Sequence, residues 1–231
     1  MQGMDDRSPS LDDLVLNGTV SPEMAATLAS TAAERHSFLT VAIPRLAGKT
    51  TVMRAMLAHA PEGTALAQLT RLLPDLGIPD APAEGQGGYL MMSEIAPVGF
   101  AEYLWGEPVR QVFASLDRGF SLATALHAGG VDEAFEVICR GNGVPDEQAA
   151  HLRLAVYIRV LGQDWRQPEG RRVAAVHEIV SVEAGQPRTR LLHRWDETTD
   201  TFEAVEQPRR IAADGAAFEQ RLARFQVLRP R

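Results

Sequence analysis

Short apolar runs and amphipathic stretches alternate along roughly the first 150 residues of the chain. The runs at 38–43, 89–92 and 121–126 are continuous and apolar, which is typical of strands in a sheet covered on both faces. Ser21, Pro22 and Glu23 together form a helix start, with a capping hydroxyl, a proline in the first turn and an acid at the positive end. Helical spacing of apolar residues therefore predicts helices at 21–36, 49–60, 108–116 and 132–139, and another from Pro145.

From residue 154 onward, predicted strands follow one another without helices between them: 155–161, 172–182, 188–195 and 201–205. A last helix is expected at 214–225. Alternating strands and helices followed by consecutive strands predict an α/β fold, with a mostly parallel sheet and an antiparallel β extension near the C-terminus. We expect residues 1–20 to form an N-terminal segment and 21–231 a single domain that includes this extension.

The segment 61–88 has the least regular pattern. Residues 64–70 favour a strand, while Pro74, Pro79 and Pro82 favour a loop over 74–88.

Composition narrows the class of protein. Hydrophobic residues make up 45% and charged residues 23%, which is ordinary for a globular chain, and no apolar run is long enough for a transmembrane segment. The acidic start does not resemble a secretory signal, so we expect a cytoplasmic protein. A net charge of -7 argues against nucleic acid as a partner. The basic pairs Arg171-Arg172 and Arg209-Arg210 are interpreted as solvated strand ends.

Candidate chemistry lies between the first strand and the second helix. Residues 43–51 read Ile-Pro-Arg-Leu-Ala-Gly-Lys-Thr-Thr, close to the phosphate-binding pattern G-x-x-x-x-G-K-[ST], with Ile43 in place of the first glycine. Here backbone N–H groups would face phosphate, Lys49 would neutralise it, and the Thr50 hydroxyl would bind Mg²⁺. The predicted nucleotide-binding residues are Pro44, Arg45, Leu46, Ala47, Gly48, Lys49, Thr50 and Thr51. The alternative is a glycine turn followed by an exposed lysine at a helix start.

Further landmarks follow in a fixed order. They are 11–23 before a helix, the strand at 38–43, Gly48-Lys-Thr-Thr, Ser93-Glu94 after a strand, Thr124-Ala-Leu-His127, and 172–183. This series resembles the motor domain of the type II/IV secretion and type IV pilus ATPases over about residues 11–206. The resemblance implies a RecA-like P-loop NTPase domain that binds ATP and Mg²⁺.

The resemblance also implies two catalytic residues. Glu94 would polarise water or order Mg²⁺ beside the terminal phosphate, and His127 would sense that phosphate. Taken alone, Glu94 could equally be a solvated strand tip and His127 a hydrogen-bonded core residue. We expect His127 to lie near Lys49, because both would sit at one edge of a parallel sheet.

Several family features are absent. No acid occurs in 64–70, where the family places a carboxylate, and Ala96, Phe120 and Ala125 replace an arginine, a histidine and a threonine of the pattern. We also expect the family's separate N-terminal domain to be missing, because only about 37 residues precede the first strand. These departures predict a degenerate member of the family that retains nucleotide binding but has weak or no hydrolysis. The sequence does not decide whether the chain is an enzyme.

Three functions remain possible from the sequence. The chain is an ATPase subunit of a bacterial secretion or pilus assembly machine, a nucleotide-binding regulator with weak or no hydrolysis, or a nucleotide-free interaction module that keeps the fold. Expected partners are ATP or ADP, copies of itself or a related ATPase, and machinery proteins. Such partners would hold it at the inner membrane.

Overall fold

The computed structural model describes residues 8–80, 87–97, 99–164 and 166–228, and nine strands form one sheet within these ranges. The strands are β1 (Ser37–Val41), β2 (Leu66–Gln68), β3 (Tyr89–Ile95), β4 (Tyr103–Leu104), β5 (Ser121–Leu126), β6 (Leu152–Leu161), β7 (Gly170–Glu183), β8 (Gln186–Asp196) and β9 (Thr201–Ala204). All strands predicted from the sequence are present, and β4 is additional.

The helices are α1 (Leu11–Leu16), α2 (Pro22–Ala33), α3 (Lys49–Leu57), α4 (Glu107–Ser115), α5 (Val131–Phe135), α6 (Asp146–Ala149) and α7 (Gly215–Gln226). The predicted helix at 132–139 is α5 continued by a π-helix, Glu136–Gly141. Two short 3₁₀ helices occupy Pro74–Gly77 and Leu116–Arg118, and the first lies in the segment predicted as a loop. The rest of that predicted loop includes 81–86, which lie outside the described residues. None of the described helices has the length and apolar character needed to cross a membrane.

The sheet has the order β2-β3-β5-β1-β6-β7-β8-β9, with β4 beside β3. β1 is parallel to both β5 and β6, and β3 is parallel to β2, β4 and β5. β7, β8 and β9 then pair antiparallel in sequence, starting from β6. This confirms a mixed α/β fold with a large, mostly parallel sheet and antiparallel strands at its C-terminal end. We call β1–β5 the parallel half and β6–β9 the antiparallel extension.

Apolar side chains pack on both faces of the sheet. Phe38 of β1 belongs to the cluster under α1, α2, α3 and α7, together with Met24 and Phe225. The next residue, Leu39, belongs to the opposite cluster, which includes Phe113 of α4. Successive side chains of a strand point to opposite faces, so β1 is buried throughout, as its continuous apolar run predicted.

Helix α1 lies in the stretch where the sequence pattern predicted no element. Its start is fixed by a capping box, in which Ser10 and Asp13 each accept from the other's backbone N–H. Its apolar face, formed by Leu11, Leu14 and Val15, packs into the same cluster as α2 and α3. The helix thus places the following turn, 17–20, at the side of the loop that links β1 to α3.

Candidate functional site

The loop between β1 and α3 contains two residues with left-handed backbone conformation, a glycine that adopts it easily and a leucine that does not. Gly48 precedes the helix with φ of 97°, a conformation that glycine adopts without strain. Leu46 is also left-handed, at φ of 60°, and its side chain is largely exposed. A left-handed leucine is uncommon and stores strain, which often accompanies functional sites. Ile43, at the position of the missing glycine, does not have a positive φ.

The start of α3 is not capped by any side chain. The first helical hydrogen bond runs from Val52 N–H to the Gly48 carbonyl at 2.9 Å. Among the described residues, the N–H groups of Gly48, Lys49, Thr50 and Thr51 therefore have no acceptor. Free N–H groups at the positive end of a helix dipole are suited to bind an anion such as phosphate.

Lys49 is buried, with 6% of its surface exposed, and this corrects the expectation of an exposed lysine. Its amine lies 3.6 Å from Glu94 Oε2 and 3.3 Å from each ring nitrogen of His127. Burial lowers the pKa of Lys49, and the Glu94 carboxylate acts in the opposite direction. The amine is thus desolvated and lies beside a carboxylate, in the cleft that the start of α3 also lines.

Glu94 and His127 complete the cluster. His127 Nε2 lies 3.1 Å from Glu94 Oε1, and His127 Nδ1 lies 2.7 Å from the Ile43 carbonyl oxygen. Each ring nitrogen thus faces an oxygen and also lies near the Lys49 amine. A nitrogen that carries a proton donates to its oxygen, and one without a proton accepts from Lys49. The ring joins the loop to β3 across the end of β5.

Sheet topology explains why these three residues meet. β1, β3 and β5 are neighbours with one direction, so their carboxyl ends share one edge of the sheet. Lys49 follows β1, Glu94 lies near the end of β3, and His127 follows β5. The structure therefore brings together the lysine and the histidine that the sequence placed at one edge.

A cleft of about 1090 Å³ opens over this cluster. Predicted site residues line it: Arg45, Leu46, Ala47, Gly48, Lys49, Thr50, Thr51, Glu94 and His127. The remaining one, Pro44, lies in the same loop but is not part of the cleft lining. Beyond the predicted set, the cleft extends past Asn17 and Thr19 on one side and past Phe100 and Tyr103 on the other.

Arg171 is a cleft residue that sequence reasoning missed. Its Nη2 and Nε donate to the Leu46 carbonyl at 3.1 and 3.4 Å, so the side chain lies against the loop and is not a solvated strand end. Its neighbour Arg172 makes a bidentate pair with Asp200, with both distances 2.8 Å. A Gly-Arg-Arg sequence at the start of a strand contains no signal for this division of roles.

The side chains available to a metal are few. Thr50 is exposed at the start of α3, in the cleft. No group of three or more His, Cys, Asp or Glu residues in the described part of the chain is placed to hold a metal ion. Mg²⁺ bound with a nucleotide takes most of its ligands from phosphate and water, so one hydroxyl from the chain fits that mode of binding.

Strand β2 carries no acid near this cluster. Gln68 is its polar residue, and its side-chain amide donates to Ser93 Oγ and to the Met91 carbonyl, both at 3.1 Å. These bonds tie Gln68 to β3. The strand predicted at 64–70 therefore exists, but it offers an amide where the resemblance implies a carboxylate.

Comparison with protein-family models and with curated proteins gives no match. Among solved structures, the chain is similar to the VirB11 ATPase from the Brucella suis type IV secretion system in complex with sulphate. The sequence identity is 15% and the TM-score is 0.46. The match covers 75% of this chain and 57% of that chain, so this chain spans little more than half of that protein's length.

Proposed function

We propose that this protein binds ATP or ADP with Mg²⁺ in the cleft over Lys49. The observation that carries the proposal is the position of Lys49, a buried cation beside four free N–H groups at the start of α3. A fixed positive charge and converging N–H donors in one cleft are the features that phosphate-binding loops share. The sequence adds weight, since Lys49 is the only lysine among 23 Lys and Arg residues.

In the bound state the chain's groups would exchange partners. The Lys49 amine would leave Glu94 for phosphate oxygens, the N–H groups from Gly48 to Thr51 would donate to phosphate, and Thr50 would hold Mg²⁺. When bound, Mg²⁺ would neutralise charge on the phosphates. His127 would stay between the loop and β3 and respond to the charge above Lys49.

Hydrolysis is proposed to be very slow or absent. Glu94 would orient water, but Gln68 occupies the strand where the resemblance implies a second carboxylate, and Ala96 stands where it implies an arginine. Loss of one preorganised electrostatic group lowers turnover by about 10²- to 10³-fold. The protein would then act by binding, as an accessory or subunit of a secretion or pilus assembly machine. That assignment depends on the order of the sequence landmarks.

A second candidate is a nucleotide-free interaction module. It is favoured by the satisfaction of Lys49 by Glu94 and His127, and by the exposed apolar residues Ile43, Leu46 and Phe100 around the cleft. Exposed apolar patches of this kind mark protein contacts. In that case Lys49, Glu94 and His127 would only hold the loop against the sheet, and nucleotide would not change the stability of the protein.

Titration with ATP and Mg²⁺, followed by phosphate release from the same sample, separates the two functions. We expect the wild type to be stabilised by nucleotide, by about 2.7 kcal/mol at 100 times the dissociation constant. Lys49→Ala should lose this stabilisation while remaining folded, since Glu94 keeps His127 as a partner. Lys49→Arg serves as the control that retains a positive charge.

Absence of any nucleotide-dependent shift at millimolar ATP and Mg²⁺ would favour the interaction module. Steady phosphate release near one per second, abolished by Lys49→Ala and by Glu94→Gln, would contradict the slow-hydrolysis proposal and support an active ATPase.

A further inference from the structure

Arg171 contacts the loop between β1 and α3 through a single backbone carbonyl. Its guanidinium donates two hydrogen bonds to one backbone oxygen, that of Leu46, and the side chain is half-buried at the wall of the cleft. A guanidinium has five N–H donors in a planar fork, which matches carboxylate or phosphate oxygens better than a single carbonyl. Over the part of the chain that the structure describes, its other N–H donors have no protein acceptor.

Arg171 also lies directly against the start of α3. A Cβ atom built on Gly48 would come within 3.1 Å of the Arg171 Cδ atom. Two features thus favour glycine at position 48: its left-handed φ and the close approach of the Arg171 side chain. The approach places the arginine stem beside the free N–H groups that were assigned to phosphate.

Most other arginines in the strands of the antiparallel extension have a carboxylate partner. Five of them lie within 4 Å of a carboxylate: Arg159 with Glu197, Arg172 with Asp200, Arg188 with Glu183, Arg190 with Glu178, and Arg194 with Glu203. Among the residues that the structure describes, Arg153 of β6 has no carboxylate at that distance. Within the described ranges, Arg171 has no carboxylate at that distance, although Glu169 lines the same cleft. An unpaired guanidinium in a cleft of a chain with net charge -7 indicates an anionic ligand.

We propose that Arg171 forms a second phosphate subsite, on the β7 side of Gly48, and binds a phosphoryl group of the same ligand as Lys49. The inference rests on the proposed nucleotide function. The Leu46 carbonyl is the partner of the guanidinium when no ligand is bound, and phosphate oxygens replace it. The chain thereby provides, from its own β7, a fixed positive charge that faces the loop.

The competing explanation is mechanical, because Arg171 could simply hold the loop through Leu46. Three variants separate the two. Arg171→Ala removes charge and donors, Arg171→Gln retains a donor for the carbonyl without charge, and Arg171→Lys retains charge without the fork. Arg188→Ala is the matched control, since it removes one arginine near the far end of β7.

Binding of ATP with Mg²⁺, of inorganic tripolyphosphate and of adenosine is measured by calorimetry for the full chain of each variant. We expect Arg171→Ala and Arg171→Gln to weaken ATP and tripolyphosphate by about 10- to 100-fold, as for loss of a charge-assisted pair. Arg171→Lys should recover part of the affinity. The small affinity for adenosine and the melting temperature without ligand should stay as in Arg188→Ala.

Two results would overturn the inference alone. One is wild-type affinity for tripolyphosphate in Arg171→Ala, and the other is wild-type affinity in Arg171→Gln with loss in Arg171→Ala, which assigns Arg171 to holding the loop. Failure of the proposed function looks different. In that case the wild type binds neither ATP nor tripolyphosphate, and Lys49→Ala equals the wild type, so both proposals are rejected together.

Discussion

The parallel half and the antiparallel extension each bury one glutamate and place a histidine in a polar contact, buried at His193 and one-third exposed at His127, but they give these side chains different partners. Glu94 and His127 lie at the carboxyl edge of β3 and β5, beside the cleft. Glu178 lies in β7 and His193 in β8. The two glutamates are both buried but have different partners, so they separate the effect of burial from the effect of the partners.

Glu178 has fixed donors. Its carboxylate accepts from the backbone N–H groups of Arg209, Arg210 and Ile211, and from Arg190 at 2.5 Å. It is completely buried. Backbone donors cannot move away without unfolding the segment, so this carboxylate fastens 209–211 to the sheet.

His193 likewise has a structural partner. Its Nε2 lies 2.8 Å from Thr27 Oγ1, which connects β8 to α2. Burial lowers the pKa of His193 to about 4, so the ring is neutral at ordinary pH.

Glu94 and His127 are instead held by each other and by Lys49, all at the cleft wall. Every partner here is a side chain apart from the Ile43 carbonyl, and side chains can exchange a partner for a ligand. The comparison teaches that burial of a charged residue does not identify a functional site. The replaceability of its partners is the better criterion.

The largest effect on stability is expected at Glu178. Glu178→Ala leaves three backbone N–H groups, that of the buried Ile211 among them, without their acceptor and deprives Arg190 of its shortest ion pair. We expect the free energy of unfolding to fall by about 3–5 kcal/mol, measured by urea denaturation. Glu203→Ala, in an exposed pair with Arg194, is the control and should change it by less than about 1 kcal/mol. Equal effects would mean that Glu178 does not fasten 209–211.

The next effect concerns pH and His193. Because burial lowers its pKa from 6.5 to about 4, the unfolded chain binds a proton at a pH where the folded chain does not. Stability from this group is complete above pH 6.5 and is lost as the pH falls towards 4, by about 3 kcal/mol. His193→Gln should lack this pH-dependent component. It is measured as the difference in unfolding free energy between the wild type and His193→Gln, determined at pH 7 and again at pH 4. A constant difference would contradict the structural role of His193.

The smallest effect is expected at Glu94, and it should concern the ligand more than the fold. Glu94→Gln removes the charge that raises the pKa of Lys49, so that pKa should fall further below 10.5. Since Lys49 is the only lysine, selective lysine labelling gives a single NMR signal whose titration reports it. We also expect ATP to bind about threefold to tenfold more tightly, because the carboxylate no longer competes for the amine. An unchanged Lys49 titration would show that Glu94 and Lys49 do not interact in solution.

The sequence predicted the fold well where the signal is local. β5 was predicted with its observed bounds, and the continuous apolar run at 38–43 gave β1, because a strand buried on both faces needs apolar residues throughout. α1 was missed because six residues are too short for a periodic pattern, although Ser10 and Asp13 carry a capping box.

Sheet topology correctly predicted that Lys49 and His127 lie together, while the binding of nucleotide by the loop stays a prediction. The burial of Lys49 and the contact of Arg171 with Leu46 depend on packing between elements far apart in sequence, which local patterns do not report. One usable signal was overlooked. A chain that uses arginine at every basic position except Lys49 indicates a requirement for a compact, titratable amine there.

The pairing of β1 with β6 has a consequence for how the chain folds. Ser37 pairs with Leu152, which lies 115 positions later (152 − 37), and β6 forms the junction between the two halves of the sheet. During synthesis, the apolar strand β1 must therefore wait for β6 to emerge from the ribosome, about 6–23 seconds at ordinary elongation rates. Over that interval an unpaired hydrophobic edge is open to wrong partners, so this protein should depend on chaperones while it is being made.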